Sequence, residues 1–295
     1  LHGCNIKLRR NMIDLKGAIG IRSALSLEDY HNLPPKSAHF FMAAAENCEK
    51  AQYDDEHPKP QTKPQARGHL IHTGIEVDSE DDLLKFYGIN PPHLHGNYLR
   101  TNAGKAEMKE FKDECQQAGK IAIKEEEFDM AIGCRRSVYN NDDAARFLEN
   151  SKKEVSGFCT LNGIDVKARP DLDCSAKLRT LVDIKSRQGG AAEIGKWMKD
   201  FYNYKTYIQA GLQMKVWRTL KMEVDEYYYI LVEIEKPYLV NVVYLSEDWI
   251  HHSIVKTSEA ILKWKSWLGN GCPAGYGEPQ EMRMAPWQQK LMEED

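Results

Sequence analysis

The chain has 295 residues, 42% of them hydrophobic and 28% charged, with a formal net charge of −4. That length suffices for a proper core, no run approaches the ~18 apolar residues of a membrane span, and the net charge does not announce a nucleic-acid binder, although clustered cations can serve one. Seven cysteines, odd in number and without Cys-x-x-Cys spacing, argue against a disulfide framework, a zinc site or an iron–sulfur site, and for a reducing cytoplasm.

The chain opens on Leu1, which suggests a part of something longer, and its first residues scatter their apolar positions too widely for a signal peptide. Residues 26 to 51 read as two short helices broken at Pro34 and Pro35, with Ser26 as an N-cap. A polar, proline-rich loop is expected over 52–65, after which "ARGHLIHTGIEV" resumes as a helix in its first half. "GINPPHLHGNYLRTNAG" reads as loop, and helical segments fill Gly104 to Asn150. Residues 1–150 are thus expected to form a mainly helical part of a single domain.

The texture changes near Glu154. "VSGFCTLNGIDVKARPD" and "AKLRTLVDIKS" carry strand periodicity, joined by a turn around Asp173 to Ala176. One helix is expected from Glu193 to Trp217, because Ile194, Trp197, Met198, Phe201, Tyr204, Ile208 and Leu212 recur at helical spacing. Two more strands follow, "EYYYILVEIE" and "YLVNVVYLS". Ser246 then caps a long helix with Glu247 and Asp248 in its first turn and Gly269 just past its end. The order strand–strand–helix–strand–strand–helix predicts an α+β fold with an α/β-type core over 151–270, followed by an irregular segment at 271–295.

The chemistry concentrates in "KARPDLDCSAKLRTLVDIKS". Alternate residues of a strand share a face, so Asp183 and Lys185 point together from a segment whose Leu181, Val182 and Ile184 read as core. On the preceding strand Lys167 and Arg169 share a face, Pro170 ends the strand, and Asp171 follows at its mouth. If the two strands pair, Asp171 and Asp183 converge with Lys185 beside them. Two carboxylates at a sheet edge suit Mg²⁺ or Mn²⁺, which polarise a phosphodiester and lower the pKa of bound water. Lys185 is then placed to hold or activate that water and to neutralise charge on the phosphate. The plainer alternative is a structural ion pair of Asp183 with Lys185 or an arginine. Beside a phosphate site, Lys167, Arg169, Arg187 and Lys205 are expected to touch the DNA backbone, with Tyr202 as the aromatic facing DNA.

"KARPD…LVDIKS…YKTYIQAG" resembles the PD-(D/E)XK nuclease core of RecE-type exonucleases, the exonuclease VIII-like group, and the likeness extends along the chain. "GHLIHTGIE" resembles that family's Gly-x-x-x-His helix, which implies His72 as a metal ligand, with His69 as its near competitor. "KEVSGF" matches the position of a metal-shell Glu, here Glu154. By the same resemblance Asp171 and Asp183 bind metal, Lys185 is the catalytic lysine and Gln209 lies near the active centre. Gln213 stands where relatives often carry Tyr. The resemblance implies a central mixed sheet flanked by helices, a Mg²⁺-dependent exonuclease on double-stranded DNA ends, 5′-to-3′ polarity and 3′ single-stranded tails for recombination. It also implies a single-strand annealing partner, a ring-shaped homo-oligomer, and a bacterial or phage-infected cytoplasm. Two rivals remain open: a restriction-type endonuclease on the same core, and a non-catalytic DNA-binding protein that kept the fold.

Overall fold

The computed structural model describes residues 19–23, 25–276 and 281–283. Cys4, the opening segment and most of the C-terminal segment expected to be irregular lie outside the described residues. In chain order the main elements are β1 (Gly20–Arg22), α1 (Leu27–Asn32), α2 (Ala38–Glu46), α3 (Cys48–Glu56), α4 (Lys63–Glu76), β2 (Tyr87–Ile89), α5 (Asn102–Gln117), β3 (Ile121–Ile123), α6 (Glu125–Tyr139) and α7 (Asp142–Glu149). The second half continues with β4 (Lys152–Lys153), β5 (Ser156–Leu161), β6 (Ile164–Ala168), β7 (Leu172–Cys174), α8 (Ser175–Leu178) and β8 (Thr180–Arg187). It closes with α9 (Ile194–Asn203), α10 (Thr206–Thr219), β9 (Glu226–Glu233), β10 (Val240–Tyr244) and α11 (Glu247–Gly269).

Several boundaries differ from the sequence expectation. The loop expected over 52–65 shrinks to 57–62, because α3 runs on to Glu56 and α4 begins at Lys63. Pro64 sits in the first turn of α4, where its missing N–H costs no helical bond, and Thr62 and Gln65 close a capping box around that end. The helix expected from Glu193 to Trp217 is two helices, α9 and α10. Lys205 between them adopts the left-handed conformation at φ 54°, a break that apolar periodicity alone does not reveal.

The central sheet is mixed, in the order β10-β9-β8-β7-β4, with β8 and β9 parallel and the other neighbours antiparallel. A smaller sheet, β1-β5-β6, stands apart from it. The two strands whose pairing would bring Asp171 and Asp183 together, β6 and β8, therefore lie in different sheets. β6 pairs with β5 across Gly163, while the short β7 pairs with β8, Leu172 opposite Val182. That register still brings Asp171 towards Asp183.

The central strand β8 is covered on both faces, as a parallel-paired strand requires. Val182 and Ile184 pack with Ile71 and Ile75 of α4, Val138 of α6 and Phe147 of α7. Leu181 packs on the opposite side with Ile208 and Leu212 of α10 and with Tyr227 and Tyr229 of β9. Asp183 points into that second layer, fully buried under α10. The layer is closed by α11, which meets α10 at Gly211, where a Cβ would be driven into the Ser253 carbonyl and the Thr257 hydroxyl. Helix backbones approach this closely only over a residue without a side chain.

Gly211→Ala is expected to lower stability by about 1–3 kcal/mol despite its better helix propensity, because the Ser253 carbonyl cannot rotate away. A drop in the urea midpoint with an unchanged slope is the expected reading; an unchanged or raised midpoint would contradict the packing described.

Candidate active site

The site is assembled at the Lys185 end of β8 from two sheet residues, one helix above the sheet and one helix across its end. Asp171 precedes β7, and its Oδ2 accepts the backbone N–H of Ile184 at 2.6 Å. Asp183 has 0% exposure and is fully engaged. Its Oδ2 accepts from Lys185 Nζ at 2.5 Å and from Gln209 Nε2 at 2.6 Å, and its Oδ1 accepts from Gln213 Nε2 at 3.2 Å. Gln213 is itself fixed, donating to the Arg169 carbonyl at 3.1 Å and accepting from the Tyr227 hydroxyl at 2.5 Å. Gln209 and Gln213 are one helical turn apart on α10, so both reach the same carboxylate.

Helix α4 supplies the other side. His72 Nδ1 lies 3.5 Å from Asp171 Oδ2, and one ligand atom each from His72, Glu76 and Asp171 falls within a 4.8 Å group. Glu76 was missed by sequence reasoning because the helix was expected to end early. Its signal was the His-x-x-x-Glu spacing, which puts residues 72 and 76 on one helical face. The C-terminal end of α4 is held by two cations. Arg135, buried on α6, donates to the carbonyls of Gly74 (2.8 Å), Val77 (2.6 Å) and Asp78 (2.9 Å), and Lys153 Nζ donates to the carbonyl of Glu76 at 2.5 Å. These satisfy end carbonyls and complement the helix dipole, which fixes where Glu76 sits.

The charges balance in pairs. Burial opposes the charged form of His72, but Asp171 outweighs it and raises the imidazole above its ordinary value. Burial likewise works against Asp171, yet His72, Lys185 and the Ile184 N–H hold its carboxyl below the usual range. Burial and then Asp171 push Asp183 up. Lys185 is disfavoured by burial but net raised by Asp183 and Asp171, so it is an ammonium here. Glu76 is left over. Burial first and Asp171 second push it up to about 8, and among the described residues its carboxylate makes no hydrogen bond.

The remaining expected residues are placed differently. Glu154, at φ 55°, pairs with Arg169 instead of joining the tight group, although its side chain, 43% exposed, still lines the cavity. The DNA contacts expected from the basic residues need correction, since most are committed inside the fold. Lys167 is buried, and its ammonium donates to the carbonyls of Tyr30 (2.7 Å), His31 (3.0 Å) and Leu33 (2.8 Å), closing the end of α1. Arg169 is spent on Glu154, the Ser156 hydroxyl and the Leu25 carbonyl. Arg187 pairs with Asp200 over the Trp197 ring, and Lys205 pairs with Glu46. Tyr202 is exposed, with its ring tilted against that of Tyr207. Period-2 reasoning finds the face a cation points to, but not the carbonyls waiting there.

The chain matches the PDDEXK-like domain of unknown function (DUF3799) over residues 39–278. No curated protein matches it. Among solved structures, a "putative exonuclease" from Eubacterium rectale superposes with a TM-score of 0.56 at 12% identity, covering 91% of this chain and 94% of that one, a likeness of fold. A phage-related exonuclease from Haemophilus somnus gives a TM-score of 0.33 at 11% identity, over 80% of this chain and 95% of that one, too loose to bear on the fold.

A divalent metal must displace protons from His72 and Glu76 to use them, because ligands bind deprotonated. Glu76, pushed up to about 8, holds a proton below that pH, and the raised imidazole of His72 favours its own, so both compete with the ion and affinity should rise with pH. Calorimetric Mn²⁺ titration near pH 7, in two buffers of different ionisation enthalpy, should show release of up to about two protons per ion, fewer in Glu76→Gln. Binding without proton release would show that these residues are not the ligands.

Proposed function

This chain belongs to the family of the PDDEXK-like domain of unknown function (DUF3799), and on that premise we propose that it is a metal-dependent deoxyribonuclease of the RecE type, degrading double-stranded DNA from its ends. The observation that carries the reading is the Asp183–Lys185 pair at the end of β8, facing the His72–Glu76–Asp171 group across one cavity of about 260 Å³. The donor set fits a hard divalent cation: two carboxylates and an imidazole, among them the partly buried Glu76 carboxyl, which has no hydrogen-bond partner among the described residues. Once bound, such an ion would polarise a phosphodiester and acidify a water.

The protein's own residues do the positioning. The Ile184 N–H and His72 fix Asp171, so that its carboxylate faces the cavity in one orientation. Gln209 and Gln213 hold Asp183, which in turn holds the Lys185 ammonium at 2.5 Å. Because Lys185 is held protonated, its role is to neutralise charge on the phosphate and donate a proton, in place of acting as a base. Mg²⁺ as the resident ion, 5′-to-3′ polarity, 3′ tails for recombination, an annealing partner, a ring-shaped oligomer, a cytoplasmic setting and a single domain over the whole chain complete the proposal; these finer points rest on the motif resemblance alone. Among the described residues no helix is long and apolar enough to cross a membrane.

End-labelled linear duplex and covalently closed circle, each with and without Mg²⁺, test the reading. Mg²⁺-dependent loss of the linear DNA with the circle intact is expected. A nicked or linearised circle would make the enzyme an endonuclease, and no cleavage of either would remove the nuclease reading. Asp183→Asn should abolish cleavage while the protein folds.

Lys185→Met separates catalyst from strut. A purely structural lysine would leave Asp183 buried and unpaired, costing on the order of 3–5 kcal/mol. A lysine acting on the phosphate should instead cost at least about a hundredfold in turnover with the fold kept when metal is saturating. Thermal melts beside single-turnover digestion give the answer; a large loss of melting temperature with near-normal turnover would make Lys185 a strut.

A further inference from the structure

The polar face of α4 carries more than the two metal-facing residues. Gln65, Gly68, His69, His72, Thr73 and Glu76 fall on one side of the helix at successive turns. Three cavities follow one another along that side. A central one of about 260 Å³ holds His72, Glu76, Asp171 and Lys185. A second, of about 530 Å³, shares His69, Thr73, Glu76 and Glu154 with it and continues past the end of α4. A third, of about 610 Å³, shares His31, His39, His69 and His72 with it and continues towards the start of α4. Together they form a trench that follows α4, a helix of about 20 Å at 1.5 Å per residue.

The two ends of the trench differ in chemistry. The end beyond Glu76 is lined by Asp78, Asp82 and Glu154 as well, and its cations Lys85 and Lys153 are engaged with Asp82 and with the end of α4. A polyanion meets repulsion there. No carboxylate lines the opposite end. It is walled by histidines from three separate elements, His31 on α1, His39 on α2 and His69 on α4, of which only His69 also reaches the acidic end; Gln61, Gln65 and Lys59, the last paired with Asp54, complete the lining. Among the described residues no ring nitrogen of these three histidines makes a hydrogen bond. His31 and His39 are exposed, and their rings open onto the cavity. Although both residues keep access to solvent, the protein atoms around the rings desolvate them, and this, followed by Lys167 for His31, Lys185 for His39 and His72 for His69, lowers all three below the ordinary imidazole value. They therefore face the trench as neutral rings, each with one N–H to donate and no charge to bury.

We propose that His31, His39 and His69 form the wall that grips the sugar–phosphate backbone of the substrate strand on the side of the metal group away from Glu76, which fixes the direction in which that strand crosses the site. Neutral N–H donors suit this position. They bond phosphate oxygens irrespective of base sequence, and they add no fixed cation beside Lys185 to compete for Asp183. Their role is positioning: they hold the strand so that its next phosphate meets Lys185 and the metal group. The proposal rests on the nuclease reading above and specifies which side of the site the strand occupies.

Two measurements separate the proposal from its premise. The first is binding of a fluorescent duplex of about one helical turn in Ca²⁺, by anisotropy, for the wild type, His39→Ala, His31→Ala and the double variant, with folding checked by melts. Each single variant should weaken binding several-fold and the double variant more than tenfold. The second compares digestion of that duplex with hydrolysis of the p-nitrophenyl ester of thymidine 5′-monophosphate, which has one phosphodiester and no neighbouring phosphate. The variants' loss in kcat/KM should be at least tenfold larger on the duplex than on the ester, and should appear in KM. His69→Gln, which keeps an N–H donor, should recover part of what His69→Ala loses. Equal losses on both substrates, or unchanged duplex binding, would overturn the wall. Wild-type protein that hydrolyses neither substrate would instead remove the nuclease reading, and the binding measurement alone would then decide the wall.

Discussion

A carboxylate with no exposure at all on the central strand of a covered sheet is the constraint around which the rest is organised. Leaving Asp183 charged and unmet there would cost several kcal/mol, so its surroundings supply three donors: Lys185, Gln209 and Gln213. Each donor imposes a demand elsewhere. Lys185 must share the face of Asp183, which fixes the register of β8. The two glutamines must stand one turn apart on a helix laid directly over that strand, which fixes α10. Tyr227 must reach Gln213 from β9, which ties the neighbouring parallel strand into the same network. The close seat of α10 on α11 at Gly211 keeps that helix pressed onto the sheet.

Much of this was legible in the sequence. A period of two places Asp183 and Lys185 together whatever the strand pairs with, and Pro170 marks a strand end with Asp171 just beyond it. The conclusion about Asp171 survived a mistaken premise: its neighbour is β7, not β6, yet the antiparallel register of β7 on β8 leads to the same convergence. Glu76 was lost for a different reason. The stretch "HTGIE" contains a glycine and two β-branched residues, so propensity shortens the helix, whereas Arg135 and Lys153 cap its end and carry it on to Glu76. Those caps come from residues about sixty and seventy-seven positions away, and no local pattern reports them.

The basic residues teach a related lesson. Lys167 and Arg169 were read as DNA contacts because they share a strand face beside an acidic site. In the fold that face is inside. Lys167 closes α1, and Arg169 ties Glu154, Ser156 and Leu25 together with its guanidinium over the Tyr30 ring. Sequence records which side a residue takes, while burial decides whether its charge is spent on the protein or left for a ligand. Glu154 shows the same principle from the acidic side, since Arg169 claims it and holds it in a left-handed conformation at the rim of the cavity.

An acidic chain whose cations nearest the site, Lys167, Arg169, Arg187 and Lys205, are committed to internal bonds must handle a polyanion by local arrangement. Across the site the charges already alternate: His72 with Asp171, Lys185 with Asp183, and a protonated Glu76. The proton on Glu76 and the two ion pairs let the carboxylates be gathered with little mutual repulsion. The arrangement holds repulsion low at rest and creates it only as those protons leave. A divalent cation held by His72, Glu76 and Asp171 would offset that repulsion. On the reading proposed above, loading of a cation would be coupled to loss of those protons, and α4 carries both groups concerned, His72 and Glu76.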